Sequence, residues 1–476
     1  MMRKLFGTDG VRGKVNNYPM VPEIALKLGM AAAAVLRDDN RDFKVIIGKD
    51  TRVSGYVFEY ALTSGLCSMG ANVYLVGPMP TPAIAYLTRS FSATAGIMIT
   101  ASHNPADDNG IKFFDCNGYK LPDEVEEKIE EMVFKNEFPL SKIKPSDTGK
   151  AFRMFEVIGR YVEFVKKSIN NTSLKGMKLV LDCANGGGYK VAPIVFSELG
   201  ADITVFGDKP DGVNINKDCG SLHPEKLAMA VKESKADIGI ALDGDADRLI
   251  VVDENGEVLD GDELMAIYAV NLKMKNMLTK NTVVATVVSN MGFEIAMNKN
   301  GINVVRTKVG DRYVIEEMRK HGYNLGGEQS GHIIFSYCTT TGDGIISALW
   351  LLRIMKETGK KLSELKRCMV KYPQASVNVA VREKPPLETI KSVNDTISSC
   401  EKKLGNTGRI LVRYSGTENK CRVMVEGKDN DLIKDCCNRI AGSIEKEIGK
   451  EKADKADKTD EADEIVDEIT EENGKR

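Results

Sequence analysis

The chain has 476 residues, 42% of them apolar and 28% charged, which fits a folded protein of several domains, because single cores stop growing at roughly 250–300 residues. Its formal net charge of −2, from 66 basic and 68 acidic residues, lacks the basic surplus of a nucleic-acid binder. No apolar run reaches the roughly 18 residues of a membrane span, no apolar leader core follows Met1, and the 10 cysteines form no C-x-x-C pair, so the expectation is a cytoplasmic protein with reduced thiols and no membrane partner.

Taken in chain order, the elements repeat. Three stretches carry strand, helix, strand, helix, strand. The first has strands over 43–50, 71–77 and 95–102, with a helix near 54–68. The second has strands over 177–186, 201–208 and 236–245, with helices over 191–200 and 224–235. The third has strands over 281–290, 302–310 and 323–331, with helices over 293–301 and 315–322. Each strand is a short β-branched run, and helices end near Gly70, Gly200, Gly301 and Gly322, where a left-handed C-cap is wanted. Beyond about Lys366 the pattern changes to a strand over 375–381, a helix over 387–404, a strand-loop-strand and a helix over 431–448. The predicted fold class is α/β: three tandem α/β domains with mixed, mainly parallel sheets, plus a smaller α+β C-terminal domain, around a central cleft. Boundaries fall at 1–155, 156–257, 258–368 and 369–449. The remainder, 450–476, has 6 basic and 11 acidic residues and no aromatic one, and is expected to be a solvated, unstructured tail.

The last strand of each repeat runs into a polar, Gly- or Pro-containing segment, and ligands of open α/β sheets bind beyond strand carboxyl ends. Asp243, Asp245 and Asp247 gather three carboxylates at alternate positions, which favours a hard divalent cation such as Mg2+ over a solvated turn. An EF-hand loop fails here, because Arg248 stands where Gly is needed. Ser102, in Thr100-Ala101-Ser102-His103-Asn104-Pro105, follows a buried strand. Alone it reads as a turn serine, but beside a metal loop a serine can carry a phosphoryl group. His103 gives only weak support for a Ser-His hydrolase, since adjacent side chains at a strand end are expected to diverge and no G-x-S-x-G elbow is present.

Phosphoryl transfer needs cations around the moving group. Arg12 in the opening Gly7-Thr8-Asp9-Gly10-Val11-Arg12-Gly13, Lys112 and Arg248 are candidates, each otherwise an ordinary ion-pair residue. Arg413, Ser415, Gly416, Thr417 and Arg422 read as an anion nest or as a charged hairpin. Glu328 and Ser330 in Gly326-Gly327-Glu328-Gln329-Ser330-Gly331-His332 can meet sugar hydroxyls, and His332 can shuttle a proton. A competing dinucleotide site, Asn185-Gly186-Gly187-Gly188-Tyr189-Lys190 with Asp208 downstream, lacks the third glycine, since Val191 stands there.

Four motifs, TASHNP, DGDADR, GGEQSGH and RYSGTE, occur in this order, and with them the chain resembles the α-D-phosphohexomutase superfamily over residues 2–449. FGTDGVRG, the Gln of GGEQSGH, TKVGDRYV and RVMVEG look most like its bacterial phosphoglucosamine mutase branch. The resemblance implies four domains around a cleft and interconversion of glucosamine 6-phosphate and glucosamine 1-phosphate, on the route to UDP-N-acetylglucosamine. It implies a phosphoserine at Ser102, one Mg2+ on Ser102, Asp243, Asp245 and Asp247, and a hexosamine 1,6-bisphosphate intermediate. Arg12, Lys112, Arg248 and His332 then surround the transferring group, Glu328 and Ser330 read sugar hydroxyls, and Arg413, Ser415, Gly416, Thr417 and Arg422 hold the distal phosphate. Asn419 departs from the Pro usual at that place. The partner is a small sugar phosphate, with a homodimer left open. Lys112 and His332 both stand as proton relays, and the fourth domain is expected to swing near Lys366 to Tyr372. Plain hexose phosphates as substrates, and a non-catalytic sugar-phosphate binder, stand as alternatives.

Overall fold

The computed structural model describes residues 5–7, 9–37, 42–415 and 419–450, and the expected tail lies outside them from residue 451 on. Three α/β units share one strand plan. In the first, Lys44–Lys49 lies between Asn72–Pro78 and Ala95–Ile99, both parallel to it. In the second, Lys178–Asp182 lies between Asp202–Phe206 and Ile238–Leu242. In the third, Thr282–Thr286 lies between Asn303–Thr307 and Leu325–Gly327.

Each unit then reverses. The third strand is followed by an antiparallel partner: Asp108–Asp115, Leu249–Asp253 and Ile333–Phe335 respectively. The sheets are therefore mixed, with a parallel centre and an antiparallel flank. The first sheet reaches seven strands by adding Phe6–Gly7 and Gly10–Lys14 at one edge and Ala151–Arg153 at the other. The reversals matter for function, because the segments 100–107, 243–248 and 328–332 are the loops that connect third strand to fourth. Equivalent topology delivers them from the same end of three sheets.

Burial explains the strand choice. Ile238–Leu242 and Leu249–Asp253 are buried at every residue, as expected of strands covered on both faces. One apolar core runs without a break through all three units, from Ile46 and Met98 through Leu181 and Ile240 to Phe335 and Trp350. The helix Gly344–Thr358 lies inside it and is apolar nearly all round. Its first turn is capped by Asp343, whose Oδ1 accepts from the backbone N of Ile345 and Ile346.

The smaller C-terminal unit has a separate core, centred on Val423, Val425, Ile440 and Ile444. Its antiparallel sheet places Lys420–Gly427 between Gln374–Ala380 and Gly408–Tyr414. The helix expected from Leu387 begins at Lys391, because one 3-10 turn, Leu387–Thr389, follows Pro385-Pro386 and the chain is extended at Ile390. Proline fixes the local φ and withholds the N–H that a longer helix would use. No described helix is long and apolar enough to cross a membrane.

Candidate active site

Ser102 sits just past the buried strand Ala95–Ile99 and is itself buried. Its backbone has φ +52°, the left-handed region that a serine occupies only under constraint. The constraint is visible. Its N–H donates to Thr100 Oγ1 at 2.9 Å. Its carbonyl accepts from Arg52 Nη2 at 3.2 Å and Asn216 Nδ2 at 2.9 Å, and both donors also hold the Asn104 carbonyl. Arg52 is fully buried and paired with Asp50. The turn aims Ser102 Oγ at Asp243 Oδ2, 2.7 Å away. It also brings His103 Nδ1 to 3.4 Å from the same oxygen. The expected divergence of these neighbours does not occur, because the left-handed residue removes the strand geometry that would separate them.

The aspartate loop is as tightly held. Gly244 is required: a Cβ there would lie 2.5 Å from the Ser102 carbonyl oxygen. Asp243, Asp245 and Asp247 are buried, and one oxygen from each lies within 4.8 Å of the others. Asp243 Oδ1 accepts from the backbone N of Arg248 at 3.2 Å. Asp245 Oδ2 accepts from Thr81 Oγ1 at 2.6 Å and Lys112 Nζ at 2.9 Å. Asp247 Oδ2 lies 3.5 Å from both Lys112 Nζ and His332 Nδ1. Two oxygens, Asp245 Oδ1 and Asp247 Oδ1, are buried with no hydrogen-bond partner.

Buried acceptors left bare are costly, and three crowded carboxylates more so. Burial and the neighbouring Asp247 and Asp245 push the Asp243 carboxyl well above its usual range. Asp247 is held well below that range: burial opposes its ionisation, but Lys112 and His332 outweigh it. A hard dication relieves both strains, since oxygen-only donors suit Mg2+. The residues present therefore fit the implied metal.

Around the loop runs a ring of alternating charge. Lys112 Nζ is 3.1 Å from Asp9 Oδ2. Asp9 pairs with Lys120, and Lys120 with Asp311. Asp311 Oδ2 is 3.5 Å from His332 Nε2, and His332 returns to Asp247. Arg12 Nη2 joins Asp9 at 3.1 Å. Burial disfavours the Lys112 ammonium, but Asp245, Asp9 and Asp247 hold its pKa well above the ordinary value. His332 is raised in the same way by Asp247 and Asp311 against its burial. Its Nε2 also accepts from the backbone N of Gly342 at 2.9 Å. The His103 pKa is lowered to about 4 by burial and by the Arg248 and Arg12 guanidiniums.

A cavity of about 700 Å3 opens from this centre. His103 and Arg248 line its near end beside Ser102, and Glu328, Ser330, Arg413 and Arg422 line the rest. Arg248 Nη1 lies 2.7 Å from His103 Nδ1. Glu328 Oε1 accepts from the backbone N of Gly310 at 3.0 Å. Arg413 and Arg422 are direct cross-strand neighbours, so two like charges face the cavity together. Burial and Arg422 lower the Arg413 pKa, the condition that a bound anion offsets. Ser415 closes that strand with its N–H on the Lys420 carbonyl at 2.8 Å, whereas Gly416 and Thr417 lie outside the described residues. Arg12, Lys112 and His332 do not line the cavity but stand behind its near end.

Several participants carry no local sequence signal. Thr81, Lys120, Asp311, Arg52 and Asn216 act on partners in other units or in distant segments, so no motif spacing reveals them. The glycine run after Lys178–Asp182 packs against the aspartate loop. The Gly187 N–H donates to the Gly244 carbonyl at 2.8 Å, and a Cβ on Gly186 would lie 2.3 Å from the same oxygen.

Models of phosphoglucomutase/phosphomannomutase domains match four consecutive segments: alpha/beta/alpha domain I at 3–140, domain II at 159–256, domain III at 260–372 and the C-terminal domain at 377–443. The chain is 54% identical over 453 residues to a phosphoglucosamine mutase of Pelobacter propionicus, covering 95% of this chain and 100% of that one. It is 55% identical over 449 residues to that of Geobacter metallireducens, covering 94% and 100%. Solved structures share the fold. A phosphoglucomutase/phosphomannomutase family protein from Burkholderia thailandensis matches with TM-score 0.77 at 22% identity, covering 93% of this chain and 97% of that one. An Aspergillus fumigatus N-acetylphosphoglucosamine mutase in complex with GlcNAc-6P and magnesium matches with TM-score 0.62 at 18% identity, covering 93% and 95%. With its four units matched in order and half its residues shared with full-length relatives, the chain belongs to the phosphoglucomutase/phosphomannomutase family.

Proposed function

We propose that the protein is a phosphoglucosamine mutase, an isomerase that interconverts glucosamine 6-phosphate and glucosamine 1-phosphate in the cytoplasm. The reaction runs through a phosphoserine at Ser102 and a hexosamine 1,6-bisphosphate. The observation that carries the reading is the pairing of Ser102 Oγ with Asp243 at 2.7 Å, behind one cavity that Arg413 and Arg422 also line. Full-length relatives at 54% and 55% identity bear the name phosphoglucosamine mutase.

The substrate brings one phosphate, so Ser102 starts phosphorylated. The O1 or O6 hydroxyl of the sugar attacks the phosphorus. A P–O bond forms to the sugar, the bond to Ser102 Oγ breaks, and the proton lost by the sugar hydroxyl ends on the released Ser102 Oγ. The bisphosphate turns end for end, and its other phosphate returns to Ser102. Asp243, Asp245 and Asp247 would hold Mg2+, which would supply charge neutralisation to the transferring group when bound.

Lys112 acts as a fixed cation and not as a base, since three carboxylates keep it charged. His332 stands behind Asp247 and acts through it. Arg248 adds positive charge on the cavity side, and Arg12 adds it from behind through its pair with Asp9. Arg413 and Arg422 hold whichever phosphate is distal, which requires them to read charge alone. Glu328 and Ser330 meet the sugar in either orientation.

A coupled assay with glucosamine, glucose and mannose phosphates tests the assignment. The expected outcome is the highest kcat/KM for glucosamine phosphate. A preference for glucose or mannose phosphate would assign the chain to plain hexoses, and no turnover of any of them would leave only a binding protein.

A further inference from the structure

The geometry points to Thr81, a buried residue of the first α/β unit, as the positioning residue that sets the metal ligand Asp245 in the second. The inference rests on the reading of Asp243, Asp245 and Asp247 as Mg2+ ligands. Every hydrogen-bond or ion-pair partner that the structure gives Asp245 comes from the first unit. Thr81 Oγ1 donates to Asp245 Oδ2 at 2.6 Å, and the Thr81 N–H donates to the Asp245 carbonyl at 2.9 Å. Lys112 Nζ shares Oδ2 at 2.9 Å. With Oδ2 and the backbone both fixed, the carboxylate has one free oxygen, and Asp245 Oδ1 is the one buried without a partner.

Thr81 has no other task that would explain its hydroxyl. It opens the helix Thr81–Ser90, whose N-cap is Pro80, and no side chain caps that helix. A helical threonine commonly donates to the carbonyl four residues back. Thr88 of the same helix does so, to Ile84 at 2.7 Å, whereas Thr81 reaches 164 residues along the chain instead. Thr81 is 1% exposed and does not line the sugar cavity, and its hydroxyl is committed to Asp245. It is also neutral, so replacing it leaves the charge around the loop unchanged, which no change at Lys112 would do. Metal affinity is then a property of the contact between two units, and not of the aspartate loop alone.

Titration with MgCl2 by calorimetry on wild type, Thr81→Val and Thr81→Ser tests this. A hydrogen bond to a charged group lost without change of volume should weaken Mg2+ binding about tenfold, a factor equal to about 1.4 kcal/mol. Thr81→Ser keeps the hydroxyl and should bind as wild type does. In turnover, Thr81→Val should lose kcat at limiting Mg2+, recover it at saturating Mg2+, and keep its KM for sugar phosphate. If Thr81→Val does not fold, Thr81→Ala takes its place in the same comparison. Wild-type Mg2+ affinity in the hydroxyl-free variant, or equal weakening in Thr81→Ser, would overturn the inference alone. No Mg2+ uptake by wild type would overturn the metal reading and this inference with it.

Discussion

Removing the Ser102 hydroxyl should abolish turnover and leave the melting temperature nearly unchanged, because Ser102→Ala keeps the backbone bonds from Thr100, Arg52 and Asn216 that hold the loop. Retained activity in that variant would contradict the assignment. At the far end, Arg422→Ala should raise KM for sugar phosphate by about tenfold to a hundredfold, the loss of one charge-assisted contact of about 1.5–3 kcal/mol. A kcat effect with unchanged KM would move Arg422 out of the phosphate site. The chain has only four histidines, so their imidazoles are separable by NMR. His103 should titrate near its lowered value of about 4, and His332 above the ordinary 6.5. The sign for His103 follows from its lowered pKa. The unfolded chain binds a proton that the folded site refuses, so this contribution to stability is full above pH 6.5 and is lost as pH falls toward 4. These residues were legible because Ser102 and the aspartates sit in compact motifs. The orientation of His103 was not, because it depends on a left-handed φ at Ser102 that no residue type announces.

Among elements, the third-strand-to-fourth-strand loop is the unit of construction. The sequence repeat exposed it, since β-branched runs, glycine C-caps and polar segments recur in step along three stretches. The antiparallel return strand was harder to read, because a buried run such as Leu249–Asp253 has the same composition whichever way it pairs. Close approach of two such loops is what glycine at 244 permits. Gly244→Ala places a methyl 2.5 Å from the Ser102 carbonyl and 2.8 Å from Asn216 Nδ2. The expected outcome is a loss of about 1–3 kcal/mol of stability in denaturant unfolding together with a larger loss of kcat, because Ser102 and Asp243 are forced apart. Unchanged kcat would show that their 2.7 Å contact is dispensable. Thr81 belongs to this scale as well. It is an ordinary polar residue until the units dock, so spacing along the chain carries no trace of it.

For the molecule as a whole, the continuous core of the three α/β units contrasts with the separate core of the C-terminal unit. The joint between them is polar. Asn290 Nδ2 donates to the Tyr372 carbonyl at 2.9 Å, and its Oδ1 accepts from the Tyr372 N–H at 3.0 Å. Arg409 Nη2 holds Glu426 at 2.7 Å and the Ser289 carbonyl at 2.9 Å. Polar contacts of this kind exchange with water at little cost, so the C-terminal unit is the part expected to swing as the bisphosphate turns. Amide hydrogen exchange across 369–376 should slow when sugar phosphate binds and bridges the two ends of the cavity. Equal exchange with and without ligand would argue for a fixed cleft. The four-unit order was readable from the change of pattern near Lys366, whereas the pinning of the joint on Asn290 was not, because its two halves lie 82 residues apart. The central claim, a serine ester formed beside three aspartates, is tested most directly by phosphopeptide mass spectrometry. The protein is incubated with hexosamine 1,6-bisphosphate carrying 18O-labelled phosphate and Mg2+, then chased with unlabelled monophosphate. The account predicts one phosphate, on Ser102, whose label exchanges out in the chase and which never forms in Asp245→Ala. Phosphate on another residue, or a Ser102 ester that forms equally well without the aspartate, would contradict it.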